Sequence, residues 1–378
     1  MLKAKNRVKL ALGLTLVAVL SVTVIGSLGP VWTASGSETR TYYIAADEVA
    51  WNYTPTGINQ ITGEPFEDEA SIFVQSGRDR IGSIYVKALY REYTDDTFST
   101  LKPRPPEWEH LGTLGPLIRA EVGDTIRVVF KNNARFPFSV HPHGVFYLKD
   151  SEGAPYNDGT SGADKNDDAV PPGGTHTYTW PVPERAGPGP NDPSSILWMY
   201  HSHVDEPGDT NAGLIGPIII TRAGMTEPDG SPVDVDREFI TMFTVFDENR
   251  SPYLEPNIQT YTGNPRTVKT EDEEFIESNL MHSINGYVFG NLPGLTMNVG
   301  ERVRWYTLGM GTEVDLHTPH WHGQTLLWSG MRTDIIELLP ASMKTMDMLP
   351  DNPGTWLFHC HVNDHIDAGM LAIFSVNP

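Results

Sequence analysis

The histidines of this chain are concentrated in four short clusters, and its only cysteine lies inside the last of them. Ten of the 13 histidines belong to these clusters, which are His141/His143, His201/His203, His317/His320/His322 and His359/His361/His365. Residues two apart on a β-strand point to the same face, so a His-x-His pair places two imidazoles side by side. Imidazole suits copper, and a thiolate with a thioether selects it further. The spacing therefore predicts adjacent metal ions.

The last cluster, joined by His317 from the third cluster, has the composition of a blue-copper electron-transfer site. Two imidazoles, one thiolate and one thioether would come from His317, Cys360, His365 and Met370. Cys360 lies between His359 and His361, whose side chains alternate to the opposite face of the same strand. A short peptide path would then join a thiolate-bound copper to imidazoles of a second site. We predict that Cys360, His359 and His361 carry electrons along this path.

The two halves of the sequence repeat one another. Residues 198–204 (WMYHSHV) in the first half mirror residues 356–362 (WLFHCHV) in the second. In both halves a Val-Gly-[Asp/Glu] turn, a strand and an earlier His-x-His precede this motif. The repeat predicts two homologous domains, 39–223 and 237–378, joined by a polar, turn-rich linker at 224–236.

Strand-like segments rich in β-branched and aromatic residues occur in both halves, separated by Gly, Pro, Asn and Asp turns. They are Thr41–Ala46, Thr125–Asn132, Gly213–Thr221, Phe239–Phe246, Arg302–Leu308 and Met370–Val376. No stretch shows a sustained 3.6-residue period, so we predict an all-β fold built of sandwiches. Residues 151–168 are expected to form a long surface loop.

The first residues differ in composition from the rest of the chain. A basic segment between Lys3 and Lys9 precedes an uncharged, largely apolar stretch that ends near Trp32. This order is typical of a signal peptide or an N-terminal membrane anchor, so residues 1–38 are predicted to be a leader or anchor with a stalk. We expect the remainder to lie outside the cytoplasm. The net charge of −21 argues against nucleic acid and anionic membrane surfaces as partners.

After the leader, nearly the whole sequence resembles the multicopper oxidases, and within them the ceruloplasmin, hephaestin and coagulation factor group. The resemblance is carried by residues 114–145, 170–195, 200–217 and 282–323. It implies two cupredoxin domains, which are Greek-key β-sandwiches, and four copper ions per chain.

The resemblance also implies a role for each ligand. The type 2 copper would be bound by His141 and His320. The type 3 pair would be bound by His143, His201, His203, His322, His359 and His361. The type 1 copper would be bound by His317, Cys360, His365 and Met370. The first domain aligns to these last four with Phe138, Ser202, Pro207 and Leu214, so one blue copper per chain is expected.

Six-domain relatives form a ring in which the trinuclear cluster lies between the first and last domains. A homotrimer of this chain would reproduce that ring, with each cluster shared between domain 1 of one subunit and domain 2 of its neighbour. Such an enzyme would oxidise a small reducing donor at the type 1 copper and reduce dioxygen to water at the cluster.

Four further residues match the iron site of ceruloplasmin-like ferroxidases. They are Glu277, His282, Glu313 and Asp364. Carboxylates with one imidazole suit Fe(II), and Asp364 directly precedes the type 1 ligand His365. The match of all four favours Fe(II) as the donor, although any one acid alone is better explained as part of the solvated surface of an acidic chain.

Several other functions stay open at this point. A laccase-like enzyme would oxidise phenols or aromatic amines, and other metal oxidases would take Cu(I) or Mn(II). A copper nitrite reductase needs fewer ligands than the eight cluster histidines provide. A copper-storage protein has no use for an electron path, and a non-enzymatic relative of the coagulation cofactors would have lost ligands. Dioxygen consumption and copper content distinguish these classes.

Overall fold

The computed structural model describes residues 37–378, all within one compact unit. The predicted leader, residues 1–38, falls almost wholly outside the described residues. Across residues 37–378, no helix combines the length and the apolar character that a membrane crossing requires.

Residues 39–221, here called the N-terminal half, form two four-stranded sheets in the orders β2-β1-β4-β6 and β3-β8-β7-β5. The strands are β1 (Thr39–Asn52), β2 (Ile84–Tyr93), β3 (Ile118–Glu121), β4 (Thr125–Asn132), β5 (His141–Pro142), β6 (Thr175–Pro181), β7 (Ser195–His201) and β8 (Ile215–Thr221). Two short helices accompany them, α1 (Asp68–Val74) and α2 (Glu206–Ala212).

Residues 237–377, the C-terminal half, form a six-stranded sheet, β10-β9-β12-β16-β14-β15, and a four-stranded sheet, β11-β18-β17-β13. The strands are β9 (Arg237–Asp247), β10 (Leu280–Ile284), β11 (Thr296–Asn298), β12 (Val303–Gly309), β13 (Pro319–Trp321), β14 (Leu326–Trp328), β15 (Met331–Thr333), β16 (Met343–Met348), β17 (Gly354–Cys360) and β18 (Leu371–Asn377). The helices are α3 (Leu254–Tyr261), α4 (Glu273–Glu277) and α5 (Asn363–Asp367).

Alternating burial explains why these segments form strands of a sandwich. In β4, Ile126, Val128 and Phe130 are fully buried while the residues between them are exposed or half-buried. Apolar side chains at every second position of a strand face the core. The C-terminal half has a hydrophobic core of its own, which includes Trp305 and Phe358. The all-β prediction is confirmed, and the helices are too short to give a helical sequence period.

Every predicted strand segment lies in or overlaps an observed strand, and Thr125–Asn132 has the observed bounds. The largest difference is at the first segment, because β1 continues to Asn52 and pairs with β2 along that extension. Within the described residues, no strand pairing joins the two halves. Residues 224–236 contain one isolated bridge, Thr226 to Pro232, and no strand. The limits of the domains stay a prediction.

Buried ion pairs hold the two halves of the chain together. The Arg119 guanidinium lies 2.5 Å from Oε2 of Glu238, and the other carboxylate oxygen, Oε1, accepts a hydrogen bond from the Tyr306 hydroxyl at 2.9 Å. Lys87 and Glu248 form a second pair whose side chains are both fully buried. Removing one member of a buried pair leaves an uncompensated charge, so these contacts fix how the halves pack.

Candidate metal centre

The cysteine pocket of the C-terminal half is formed where β17 ends and the chain turns back into β18. Helix α5 occupies that turn and carries His365. The Cys360 N–H donates to the Met370 carbonyl at 3.1 Å, and the Met370 N–H donates to the His365 carbonyl at 2.8 Å. His317 lies two residues before the start of β13, which pairs with β17. Backbone hydrogen bonds thus bring together four residues that are up to 53 positions apart in sequence.

The side chains of this pocket converge on one point. The Cys360 Sγ lies 3.5 Å from His365 Nδ1 and 3.9 Å from His317 Nδ1, and the two Nδ1 atoms are 3.1 Å apart. All three side chains are buried, and Met370 is buried in the same core. One thiolate and two imidazole nitrogens are therefore placed to hold a single metal ion.

Electrostatics favour the thiolate form of Cys360. Burial raises its pKa, but hydrogen bonds with His317 and His365 outweigh burial and lower the pKa to about 6. For His317, burial lowers the pKa, whereas Asp315 and Cys360 raise it above its ordinary value overall. Metal binding needs the thiolate rather than the thiol, so the pocket is prepared for a metal ion near neutral pH.

A group of histidines lies next to this pocket on the other face of β17. His320 pairs with His359 across the ladder between β13 and β17. His359 Nε2 lies 3.3 Å from His320 Nδ1 and 3.1 Å from His322 Nε2. The ring of His361 lies 5.3 Å from that of His359 and 5.6 Å from that of His320. We call these four residues the C-terminal histidine group.

The N-terminal half presents a matching set, the N-terminal histidine group. His141 pairs with His201 across β5 and β7, and His143 Nε2 lies 3.1 Å from His201 Nε2. The ring of His203 lies 5.2 Å from that of His141. Among the described residues, no hydrogen bond or ring contact joins the two histidine groups.

Backbone carbonyls orient several of these rings through the nitrogen that faces away from the group. Nδ1 of His141 lies 2.6 Å from the Glu152 carbonyl, and Nδ1 of His359 lies 2.7 Å from the Cys360 carbonyl. Burial lowers the pKa of His201 to about 3 and that of His359 to about 4. These imidazoles are therefore neutral at pH 7, with the lone pair of the other nitrogen free for a metal ion. The residues present fit copper.

The sequence also matches models of a known protein family. Two sequence models described as multicopper oxidase match residues 112–224 and 250–378, which together make up more than half of the chain. This chain belongs to the multicopper oxidase family.

Its relatives among characterised proteins extend the comparison. The chain is 51% identical over 345 residues to human ferroxidase HEPHL1, 49% over 342 residues to human hephaestin and 45% over 353 residues to human ceruloplasmin. These matches cover 90%, 89% and 90% of this chain, but 30%, 29% and 33% of the relatives. The chain thus spans about a third of the length of these relatives.

Solved structures of multicopper oxidases share the fold. One structure, described as a multicopper oxidase, gives a TM-score of 0.54 at 17% identity and covers 90% of this chain and 88% of its own. A second, the multicopper oxidase mgLAC, gives 0.56 at 18% identity and covers 90% and 86%. At this identity the likeness supports the sandwich fold alone.

The N-terminal half of this multicopper oxidase contains a counterpart of the cysteine pocket, and it corrects one predicted alignment. The Ser202 N–H donates to the Leu214 carbonyl and the Leu214 N–H to the Asp209 carbonyl, each at 3.1 Å, as Cys360, Met370 and His365 do in the other half. The prediction that Pro207 replaces His365 is wrong. Asp209 occupies that place, because the turn containing α2 is two residues longer than the turn containing α5.

The four residues predicted to bind iron are placed differently from one another. His282 is 8% exposed, and its ring lies 5.2 Å from that of His365. The three acids, by contrast, are exposed, and none of the three-ligand groups among the described residues includes any of the four. The acids are Glu277, Glu313 and Asp364. The iron site stays a prediction. The observation that bears on it is the contact between His282 and His365, a residue of the cysteine pocket.

Proposed function

We propose that this chain is an extracytoplasmic copper oxidase that takes electrons singly from Fe(II) and reduces dioxygen to water. The observation that carries the proposal is the position of Cys360. Its side chain belongs to the cysteine pocket, while its sequence neighbours His359 and His361 belong to the C-terminal histidine group. The cysteine pocket, which accepts one electron at a time, is thus joined to the C-terminal histidine group by one peptide unit on each side of Cys360. Reduction of dioxygen at the histidine group needs four electrons.

The resemblance to ceruloplasmin-like multicopper oxidases assigns these residues to three kinds of copper site. The type 1 copper would be held by His317, Cys360, His365 and Met370. The type 2 copper would be held by His141 and His320. The type 3 pair would be held by His143, His201, His203, His322, His359 and His361. Copper bound in these sites supplies one-electron redox chemistry at the thiolate and reduction of dioxygen at the cluster.

The protein contributes rigidity and a dry environment around these sites. Trp321, which separates His320 from His322, is fully buried and packs on Phe358 with ring centroids 4.8 Å apart. Phe358 in turn packs on Phe243 at 5.3 Å. Close packing of large aromatic rings holds the ligand strands in place, so little rearrangement accompanies electron transfer.

The two separate histidine groups support a cluster that is shared between subunits. Each group has four of the eight histidines, and three copies of the chain together match the length of one relative. The homotrimer would pair the N-terminal group of one subunit with the C-terminal group of the next. Exposed apolar side chains lie close in sequence to both groups, including Phe146 at 43% and Leu316 at 51% exposure. Such side chains are suited to an interface between subunits.

The contact between His282 and His365 supports Fe(II) as the donor. Burial lowers the pKa of His282 to about 4, so its imidazole is neutral and able to bind a metal ion. The exposed carboxylates Glu277, Glu313 and Asp364 would complete the site, with Glu313 acting from a neighbouring subunit. Carboxylates bind Fe(III) more tightly than Fe(II), which lowers the potential of the donor. The ferroxidase name of one relative agrees with this choice.

Steady-state kinetics with two donors test the choice of Fe(II). Each of Glu277→Ala, His282→Ala, Glu313→Ala and Asp364→Ala is assayed with Fe(II) and with a bulky phenol. We expect kcat/KM for Fe(II) to fall about tenfold or more in each, with phenol oxidation nearly unchanged. Glu273→Ala, an exposed acid on the same helix as Glu277, is the matched control. Unchanged Fe(II) oxidation in all four, or equal losses with both donors, would instead support a laccase-like enzyme.

A further inference from the structure

A buried carboxylate lies behind the cysteine pocket. Asp315 is 1% exposed and stands two residues before His317. Its Oδ1 accepts the Val245 N–H at 2.7 Å, and its Oδ2 accepts the Thr312 N–H at 2.8 Å. A buried charge requires such partners, so the backbone holds this carboxylate in one position.

Asp315 contacts the side of the His317 ring that faces away from the pocket. Its Oδ1 lies 3.2 Å from His317 Nε2, whereas His317 Nδ1 faces Cys360 and His365. An imidazole that binds a metal ion through Nδ1 carries its proton on Nε2, and the acceptor of that proton fixes the tautomer and the ring orientation. Asp315 is this acceptor.

The N-terminal half has no carboxylate at the place that corresponds to Asp315. Phe138 occupies the place of His317, since Phe138 bridges to Val170 as His317 bridges to Leu338. Two residues earlier stands Phe136, which packs on Tyr253 at 5.3 Å, and its carbonyl accepts a hydrogen bond from Asn132. The carboxylate is present in the half that has the histidine ligand and absent from the half that has phenylalanine there.

The backbone is also shaped to admit this carboxylate. Gly311 has a φ of +121°, and a Cβ at this position would lie 2.0 Å from Asp315 Oδ2. A side chain there would displace the carboxylate, and glycine avoids both that clash and the strain of the positive φ. Gly311 therefore permits the close approach of Asp315 to its partners.

We propose that Asp315 is a positioning residue that fixes the tautomer of His317 and lowers the reduction potential of the metal ion held by His317, Cys360 and His365. This inference rests on the proposed copper function. A fixed negative charge beside a ligand stabilises the oxidised, more positive metal ion, and a strongly hydrogen-bonded imidazole is a better electron donor to it.

The test is a redox titration of the copper-loaded full chain, followed through the thiolate-to-copper absorption band. Asp315→Asn keeps the shape of the side chain and removes its charge. We expect the variant to stay blue and its equilibrium constant for one-electron reduction to rise at least tenfold, which is 59 mV. Asp315→Glu, which keeps the charge, should shift the potential less. The control is Asp367→Asn, which removes an exposed charge two residues from His365 and should leave the potential unchanged.

Two results would overturn the inference while leaving the proposed function intact. One is a blue Asp315→Asn chain whose potential matches that of Asp367→Asn. The other applies if Asp315→Asn does not fold. Gly311→Ala is then measured, because it keeps the charge of Asp315 but displaces the carboxylate. An unchanged reduction potential in Gly311→Ala would contradict the inference. A wild-type chain without a thiolate-to-copper band would instead contradict the proposed function itself.

Discussion

The cysteine pocket of the C-terminal half and its counterpart in the N-terminal half share a backbone but differ in what fills it. In the first, thiolate and imidazole side chains converge with their metal-binding atoms 3.1–3.9 Å apart. In the second, Ser202 donates a hydrogen bond to Asp209 at 2.6 Å, and Phe138 and Leu214 complete the packing. The same backbone hydrogen bonds thus surround candidate metal ligands in the C-terminal half and a serine–aspartate hydrogen bond in the N-terminal half.

Both halves have a histidine group, but in the N-terminal half hydrogen bonds to Asp209 stand in the place of the cysteine pocket. Asp209 Oδ2 accepts hydrogen bonds from the backbone of Val204 and Asp205 at 3.1 Å each, in addition to the one from Ser202. These contacts hold the turn that follows His201 and His203 without a metal ion. In the proposed function, the N-terminal half would therefore supply cluster ligands only, whereas the C-terminal half would also hold the copper at which electrons enter.

The largest effect is expected from giving the C-terminal pocket the serine found in the N-terminal half. Cys360→Ser removes the only thiolate, so the blue colour and the oxidation of every donor should be lost, while the fold is kept. Visible absorption, dioxygen consumption and circular dichroism measure the three properties. A variant that stays blue would contradict the assignment of the pocket.

Mixing inactive chains tests whether the two histidine groups meet between subunits. His141→Ala/His143→Ala chains lack the N-terminal group, and His320→Ala/His322→Ala chains lack the C-terminal group. Each is expected to be inactive alone, but random mixing restores roughly a quarter of all clusters, because about three quarters of the trimers are mixed and one of the three interfaces in each mixed trimer is intact. Activity is measured after unfolding and refolding the two chains together. Full activity from a dilute monomeric species would argue against a shared cluster.

A smaller effect is expected from removing the carboxylate of the N-terminal counterpart. Asp209→Ala leaves the hydroxyl of Ser202 and two backbone N–H groups without their acceptor, at a cost of about 2–3 kcal/mol in the free energy of unfolding. Urea denaturation of the metal-free chain measures it. The control Asp205→Ala removes an exposed acid nearby and should change stability by less than about 0.5 kcal/mol. If both substitutions lowered the free energy of unfolding by the same amount, the proposed structural role of Asp209 would be wrong.

The smallest effect concerns pH. Burial raises the pKa of Asp209 from 3.8 to about 6, so the folded chain binds this proton more tightly than the unfolded chain. Its contribution to stability is therefore full below the unfolded pKa and is lost as the pH rises through about 6. Asp209→Asn should weaken the fall in stability between about pH 4.5 and about pH 7. Identical pH dependence in wild type and variant, measured by urea denaturation, would show that Asp209 does not titrate in this range.

The sequence allowed the histidine groups and the cysteine pocket to be predicted because strand alternation is a local rule. His359 and His361 flank Cys360 on a strand, and that spacing alone places them on the opposite face. Counting forward from Ser202 leads to Pro207 rather than Asp209, because the intervening turn is two residues longer in the N-terminal half than in the C-terminal half. Counting back from Leu214, which corresponds to Met370, leads to Asp209.

Other parts of the site could not be predicted, because they depend on how distant segments pack. The carbonyl of Glu152 reaches His141 from a loop whose path has no sequence signature. Asp315 is one of many acids in an acidic chain, and only its burial and its contact with His317 distinguish it. The short helices α2 and α5 are likewise set by the turns that they occupy rather than by a helical period.

Copper content, measured together with the stoichiometry of dioxygen consumption, tests the central claim most directly. That claim is one thiolate site per chain and clusters assembled from both histidine groups. It predicts four copper ions per chain, four Fe(II) oxidised per dioxygen and no hydrogen peroxide released. Two copper ions per chain, or peroxide as the product, would contradict the account.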